Sequence, residues 1–581
     1  MSRPVIYQLF VRLFGNTRPM VPNGTLDQNG CGKFNDIDDR VLGSLVDAGF
    51  THVWLTGVLE QASGTTYPDR PADDPAVLKG IAGSPYAIRD YFDVCPDYAV
   101  DPSKRLDEFR SLLDRCKSHG LKVIMDFVPN HVARTYASDV RPDLTFGTGD
   151  DTSVFFAENN HFFYLRPTDP GGGPPLRLPV ADGVFEPERL IGKVTGNNLI
   201  SWAPSINEWY ETVKLNYGHD FTTGRDTSHL PGPDAAVEDV PKTWRTMDAI
   251  LAYWQGFGVG GFRVDMSHMI PQEFWRWAIK RCRARNPETY IFGEAYDSDP
   301  MKLTDGDVLE ALLDSGFDAV YGHPPYQVLK AIYDGSNWAN DLNSVPFSSS
   351  FHRSLHYAEN HDEVRIASFL HWGGLGLPVG KPVSAILLGM SPGPIMMYNG
   401  QEVGEQATAR MGFGGGDGRT SIFDYGSMPE VVKMHQGGLA PSQTELRQWY
   451  IDLLKILREP AFTLGEFYGL NFANGDNPQF GRVGDEGFSG HWLHAFLRHD
   501  STSGQSFLVV SNLNGRETLR NVRVRIPSDA LRWLGLGQDG SVHFSERLSD
   551  PLETDVFTNS LPGLGLPVGD LAPFQVRVLA F

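Results

Sequence analysis

The sequence predicts an α/β protein: a (β/α)8 barrel with an inserted subdomain after strand 3 and a C-terminal antiparallel β-sandwich. Three observations predict it. Helical spacing followed by a short, continuously apolar run recurs along the chain, the signature of a parallel sheet buried on both faces. Between 132 and about 241 that alternation dissolves into Gly, Pro and aromatics, including DPGGGPPLRLP, too long a stretch for a simple loop. After about 462 helical spacing vanishes, and short alternating runs such as SFLVVSNL and NVRVRIP end in FQVRVLAF.

In chain order, the first strand is expected over 4–13. Ile37, Val41, Leu42, Leu45 and Val46 mark a helix face before THVWLTGV (51–58). Leu106, Phe109, Leu112, Leu113 and Cys116 mark another that stops at His119-Gly120 before KVIMDFV (122–128). Trp244, Met247, Ile250, Leu251 and Trp254 precede VGGFRVD, and PQEFWRWAIKRC precedes TYIFGEA (289–295). FDAVYG (317–322), RSLHYAE (353–359) and GPIMMYN (393–399) complete eight strands, and a strong helix runs through 442–458. A doubly wound open sheet is the alternative, but no Gly-rich phosphate loop follows the first strand. The expected division is 1–131 and 214–461 for the barrel, 132–213 for the insertion and 462–581 for the sandwich.

Bulk properties narrow the partners. A chain of 581 residues with 41% hydrophobic content can bury a large core with appended domains. Its formal charge of −21 repels phosphate backbones and anionic membranes, so nucleic acid and membrane are not expected as partners. The 12 Trp, 20 Tyr and 35 Phe offer flat faces to a sugar ring, although core packing uses the same residues. No basic, apolar and small-residue succession opens the chain, and no run of about 18 apolar residues occurs, so a cytoplasmic protein is expected. Cys31, Cys95, Cys116 and Cys282 lack zinc-type spacing and read as buried thiols.

Sites on such barrels lie at the C-terminal ends of the strands. The polar groups ending apolar runs are Asp126, Asn130 and His131 after the third strand, Arg263 and Asp265 at the fourth, Glu294 at the fifth, and His361 and Asp362 past the seventh. Arg263 and Asp265, spaced by two, share a strand face. Burying an ion pair for stability is a weak device, because desolvation can exceed the attraction. Taken alone the pair fits a structural ion pair as well as a site, but three carboxyls ending three strands converge on one pocket if the barrel closes.

These residues resemble the α-amylase family of retaining glycoside hydrolases and transglycosylases. The resemblance rests on DFVPNH (126–131), GFRVD (261–265), GEA (293–295) and ENHD (359–362), in that order. It implies that Asp265 is the nucleophile, Glu294 the general acid/base and Asp362 the carboxylate that holds sugar hydroxyls. It implies further that Arg263 supports Asp265, that His131 and His361 bind the sugar at the cleavage site, and that Tyr86, in SPYAIRDYFDV, stacks on it. The chemistry agrees: retention needs two carboxyls about 5–5.5 Å apart, and neighbouring strands lie about 4.8 Å apart. Arg263 is expected to lower the pKa of Asp265, and the resulting charge to raise that of Glu294.

Two departures from the family pattern stand out. TVKLN (212–216) puts Lys214 where many members carry a calcium-binding aspartate, so no metal and no other cofactor is expected, despite Asn130, often a ligand in the family. MSHM (266–269) puts His268 and Met269 where starch-cleaving members carry a lysine-histidine pair, and Arg419 lines the cleft or pairs with a local acid. The resemblance thus implies hydrolysis of α-1,4 bonds in maltooligosaccharides or starch-like glucans. The alternatives are transglycosylation at the same site, by a maltosyl- or glucanotransferase or a trehalose-forming enzyme, and an inactive carbohydrate-binding scaffold. Chain-length preference is expected to reside in the loops of 132–241 and 401–440.

Overall fold

The computed structural model describes residues 3–407, 413–414, 416–537 and 539–581. Eight parallel strands close a barrel: β1 (Val5–Phe10), β2 (His52–Thr56), β3 (Lys122–Phe127), β4 (Gly261–Val264), β5 (Tyr290–Gly293), β6 (Ala319–Tyr321), β7 (Ser354–Tyr357) and β8 (Ile395–Tyr398). Closure comes from β1, which pairs with β2 on one side and β8 on the other. The strands are almost wholly buried, as expected where side chains fill the interior and helices cover the outside. The covering helices are α1 (Asp39–Ala48), α2 (Arg105–Ser118), α3 (Lys242–Phe257), α4 (Gln272–Arg285), α5 (Val308–Asp314), α6 (His323–Tyr333), α7 (Gly380–Gly389) and α8 (Pro441–Ile456).

The first strand is shorter than the expected 4–13. Its last pairing is Phe10 with Thr56, where β2 ends, and the unpaired chain turns into a helical stretch, Val11–Phe14. There the buried Arg12 donates to the carbonyls of Ala82, Gly83 and Ile422, tying the barrel mouth to two loops.

Between β3 and α3 the chain leaves the barrel. His131–Ala133 and Thr212–Lys214 form a short antiparallel ribbon with His131 opposite Lys214. Around it Phe163, Leu165, Leu176, Val194, Trp202 and Tyr210 build a separate small core, joined by Ala76 and Val77 from the loops after β2.

The C-terminal strands are β9 (Glu466–Gly469), β10 (Leu493–Asp500), β11 (Gln505–Asn512), β12 (Leu519–Val524), β13 (Ser541–Glu546), β14 (Glu553–Phe557), β15 (Leu566–Leu571) and β16 (Val576–Ala580). Six form an antiparallel sheet in the order β9-β10-β11-β16-β13-β14, while β12 and β15 pair as a second sheet. Period-two alternation divides their side chains: Phe496, Phe507, Val509 and Val578 join the barrel core, whereas Ala495, Leu497, Leu508 and Val510 form a second core with Val522 and Leu566. Arg498 seals the junction, its guanidinium donating to the carbonyls of Met390, Ala461, Phe462 and Gly465. Among the described residues no helix is long and apolar enough to cross a membrane, and Cys31, Cys95, Cys116 and Cys282 are free and buried.

Candidate active site

Parallel register sets the first two carboxyls side by side. Val264 pairs with Gly293, so the next residues, Asp265 and Glu294, leave β4 and β5 together at the barrel mouth. Arg263, one pleat below Asp265 and fully buried, reaches both: Nη1 donates to Asp265 Oδ1 at 2.8 Å and Nη2 to Glu294 Oε2 at 2.6 Å. Nη1 also lies 3.4 Å from Asp126 Oδ1, and Nε donates to the Tyr321 hydroxyl at 3.2 Å. The guanidinium is flanked by the rings of Trp54, Tyr86 and Tyr321 at 5.2, 5.3 and 5.7 Å. Glu294 is further fixed by the Tyr296 hydroxyl on Oε1 at 3.0 Å and the Met266 amide on Oε2 at 3.2 Å. Met266 delivers that amide from a left-handed conformation (φ 45°, ψ 44°), a strained geometry for a residue with a side chain.

Charge counting departs from the expectation. Burial pushes Asp265 well above the usual carboxylate range; Arg263 pulls it back only in part, and Glu294 adds to the rise. Burial raises Asp126 as well. One guanidinium thus faces three carboxyls, and the rise at Asp265 favours keeping a proton there.

The other candidates form the facing wall. Gln8 Nε2 lies 2.9 Å from His361 Nδ1, while Nε2 of that ring faces Asp362 Oδ2 at 2.9 Å and the Tyr86 hydroxyl at 2.6 Å. Tyr86 stacks on His361 with centroids 5.2 Å apart. Burial alone would raise Asp362, but His361, Arg263 and Arg419 hold it down to about 2. His131, opposite Lys214 in the inserted ribbon, packs against Trp209 at 5.2 Å, and burial with the Lys214 charge pushes it down to about 3, so the ring is neutral. Lys214 Nζ donates to Asn130 Oδ1 at 2.7 Å, an ammonium where a cation ligand would point; burial lowers Lys214 to about 7. That oxygen is engaged, and no cluster of three metal-binding side chains occurs among the described residues.

Asp265, Glu294, Asp362, Tyr86 and His131 line one cavity of about 280 Å³; Arg263 and His361 sit behind it. His268 turns away, its Nε2 held by Asp299 Oδ2 at 2.8 Å, and Met269 is buried. Arg419 does both things expected of it: it lines the cavity and lies 3.6 Å from Asp417. Residues 408–412 and 415 of the 401–440 stretch lie outside the described residues. Lys79, Trp209, Glu211, Thr212 and Phe423 also line the cavity. Strand-end reasoning missed them because they sit on loops and in the insertion; the aromatic-acidic run NEWYET (207–212) was the available signal.

Fold and cavity define a class of protein: a closed parallel barrel whose C-terminal rim gathers three carboxyls on one buried guanidinium, beside aromatic walls. Residues 23–425 match the family model described as alpha amylase, catalytic domain. The chain therefore belongs to the α-amylase family. It is 27% identical to Maltase 1 of Drosophila virilis over 45% of this chain and 31% of that protein. It is 24% identical to the alpha-amylase MalA of Haloarcula japonica over 69% of this chain and 44% of that protein. The chain thus spans about a third to a half of the length of these curated relatives. The fold matches the cyclic α-maltosyl-(1→6)-maltose hydrolase of Arthrobacter globiformis with a TM-score of 0.60, at 17% identity, covering all of both chains.

Proposed function

We propose that the protein is a retaining glycoside hydrolase that cleaves α-1,4-glucosidic bonds of maltooligosaccharides or starch-like glucans by double displacement. The observation that carries the reading is the single buried guanidinium bonded to two carboxyls on adjoining strands, Asp265 and Glu294. Such a group suits one ionised and one protonated carboxyl beside the fixed cation, the complement that retention requires. Asp265 attacks the anomeric carbon as the glycosidic C–O bond breaks and the leaving oxygen takes the proton of Glu294. Glu294, now ionised, takes a proton from water, whose oxygen attacks the same carbon and frees Asp265. Asp362 binds ring hydroxyls, supported by His361; Tyr86 and His131 hold the ring, and Arg263 fixes the carboxyl pair. No metal enters these steps. The buried, free cysteines support a cytoplasmic setting. The division 1–131, 132–213, 214–461 and 462–581 serves as the working domain scheme, with His131 at the junction of barrel and insertion.

Asp265→Asn tests the reading: turnover of maltooligosaccharides should fall by roughly 10⁴-fold or more, while circular dichroism and melting stay close to wild type. Wild-type-like turnover in this variant would end the proposal. The product spectrum from maltotetraose separates hydrolysis from transfer, because new reducing ends mark water as the acceptor, whereas longer products without them mark a sugar hydroxyl.

A further inference from the structure

The two oxygens of Glu294 meet different surroundings. Oε2 accepts from Arg263 Nη2 at 2.6 Å and from the Met266 amide at 3.2 Å, a permanent cation and a backbone group, neither of which can turn away. Those two donors fill the lone pairs of Oε2, so the proton that Glu294 transfers has its place on Oε1. Among the described residues Oε1 has one partner, the Tyr296 hydroxyl at 3.0 Å. Tyr296 lies between β5 and α5, half-buried, and three other elements meet its ring edge-on: His268 of the segment after β4 at 6.0 Å, Tyr321 of β6 at 6.4 Å and His323 of α6 at 5.0 Å. Two of these rings are themselves tied, His268 to Asp299 at 2.8 Å and His323 to the Tyr357 hydroxyl at 3.0 Å. The ring plane is thereby fixed, while the phenolic O–H stays free to turn about its C–O bond.

We propose that Tyr296 is a positioning residue: it confines the transferable proton of Glu294 to Oε1 and steadies that oxygen whenever the proton is absent. In the first displacement the O–H bond at Oε1 breaks as the leaving oxygen gains the hydrogen, and the Tyr296 hydroxyl donates to the new carboxylate. In the second, water gives a proton to Oε1 as its oxygen bonds to the anomeric carbon, and the Tyr296 hydroxyl turns to accept from Oε1–H. Tyr296 itself neither gains nor loses a proton. Burial and the neighbouring Glu294 push its pKa well above the ordinary tyrosine value, so it remains a donor at every working pH. The other titratable groups around Glu294 are Arg263 and Asp265 at β4, Tyr321 in β6, His323 in α6, Tyr357 in β7 and Asp362 across the cavity. Burial pushes His323 down to about 4, which leaves Arg263 as the one cation in this set at neutral pH, and it is committed to Oε2. The state of Oε1 is therefore set by Tyr296. That Glu294 is the proton donor rests on the reading given under Proposed function.

Carbon-13 NMR of protein labelled at the glutamate carboxyls follows Glu294 without substrate, its signal assigned by loss in Glu294→Gln. Tyr296→Phe removes the donor that favours the ionised form, so the Glu294 titration is expected to move up by about one pH unit, the worth of one hydrogen bond to a charged group. A midpoint equal to wild type, or lower, overturns the proposal. 3-Fluorotyrosine at position 296, near-isosteric and a stronger donor, is read if the phenylalanine variant does not fold. It is expected to move the midpoint down, and no movement, or an upward one, overturns the proposal as well. Under the proposed function Glu294 must be protonated to act, so the alkaline limb of kcat/KM on maltotriose should follow the carbon signal in each variant. A limb that stays in place while the signal moves, or a wild type inactive on maltotriose, would count against the proposed function alone, since the titration still decides the role of Tyr296.

Discussion

At the scale of single residues, the decisive question is where protons sit around Arg263. Burial raises Asp265, and only its ionised form can attack. As pH falls, Asp265 takes up its proton at a pH above the ordinary carboxylate range and activity is lost. The acid limb of kcat/KM should accordingly lie above about pH 4, the unperturbed aspartate value; a limb at or below it would contradict the account. Arg263→Leu removes the one cation bonded to three carboxyls, so the limb should move to still higher pH, and the fold should lose about 3–5 kcal/mol in denaturant titration. Lys214 supports a second expectation. Its ammonium already occupies Asn130 Oδ1, so calcium and chelator should leave the melting temperature unchanged, whereas Lys214→Asp should make melting calcium-dependent. A calcium-sensitive wild type would refute this.

At the scale of elements, strands were legible and several helices were not. The eight apolar runs announced the barrel because a strand buried on both faces has to be apolar throughout, and their polar ends marked Asp265, Glu294 and Asp362. Helix α5 is only seven residues long, α6 opens on His323-Pro324-Pro325, and α7 is buried at every position from Gly380 to Gly389 except Lys381, so little polar face betrays its period. At its C-terminal end the expected first strand overruns the observed one by three residues because Val11 and Leu13 continue the apolar run; what ends it is the end of its neighbour at Thr56. In the terminal sheet, alternation along β10 sends Phe496 to the barrel and Ala495 and Leu497 to the sheet's own core. Phe496→Ala should therefore cost about 3–5 kcal/mol, read from the denaturation midpoint, by opening a cavity at the junction. A loss under about 1 kcal/mol would show that the junction repacks.

At the scale of the whole molecule, barrel and terminal sheet share a core: Phe496, Phe507, Val509 and Val576 cluster with the barrel helices. Arg498 adds bonds to the carbonyl of Met390, just past α7, and to those of Ala461, Phe462 and Gly465, just past α8. Calorimetry should show one cooperative transition, because neither part can expose that face alone at small cost; two separate transitions would mean the interface contributes little.

The linear chain by itself determined the barrel, the order of its strands and the carboxyls at their ends, since burial and period are local properties written in residue spacing. Only the tertiary structure decided that one arginine holds two of those carboxyls and that His268 turns to Asp299. It also decided that Lys79, Trp209 and Glu211, from a loop and an insertion without periodicity, complete the cavity wall. Such pairings depend on chain closure over long sequence separations, which no local pattern encodes.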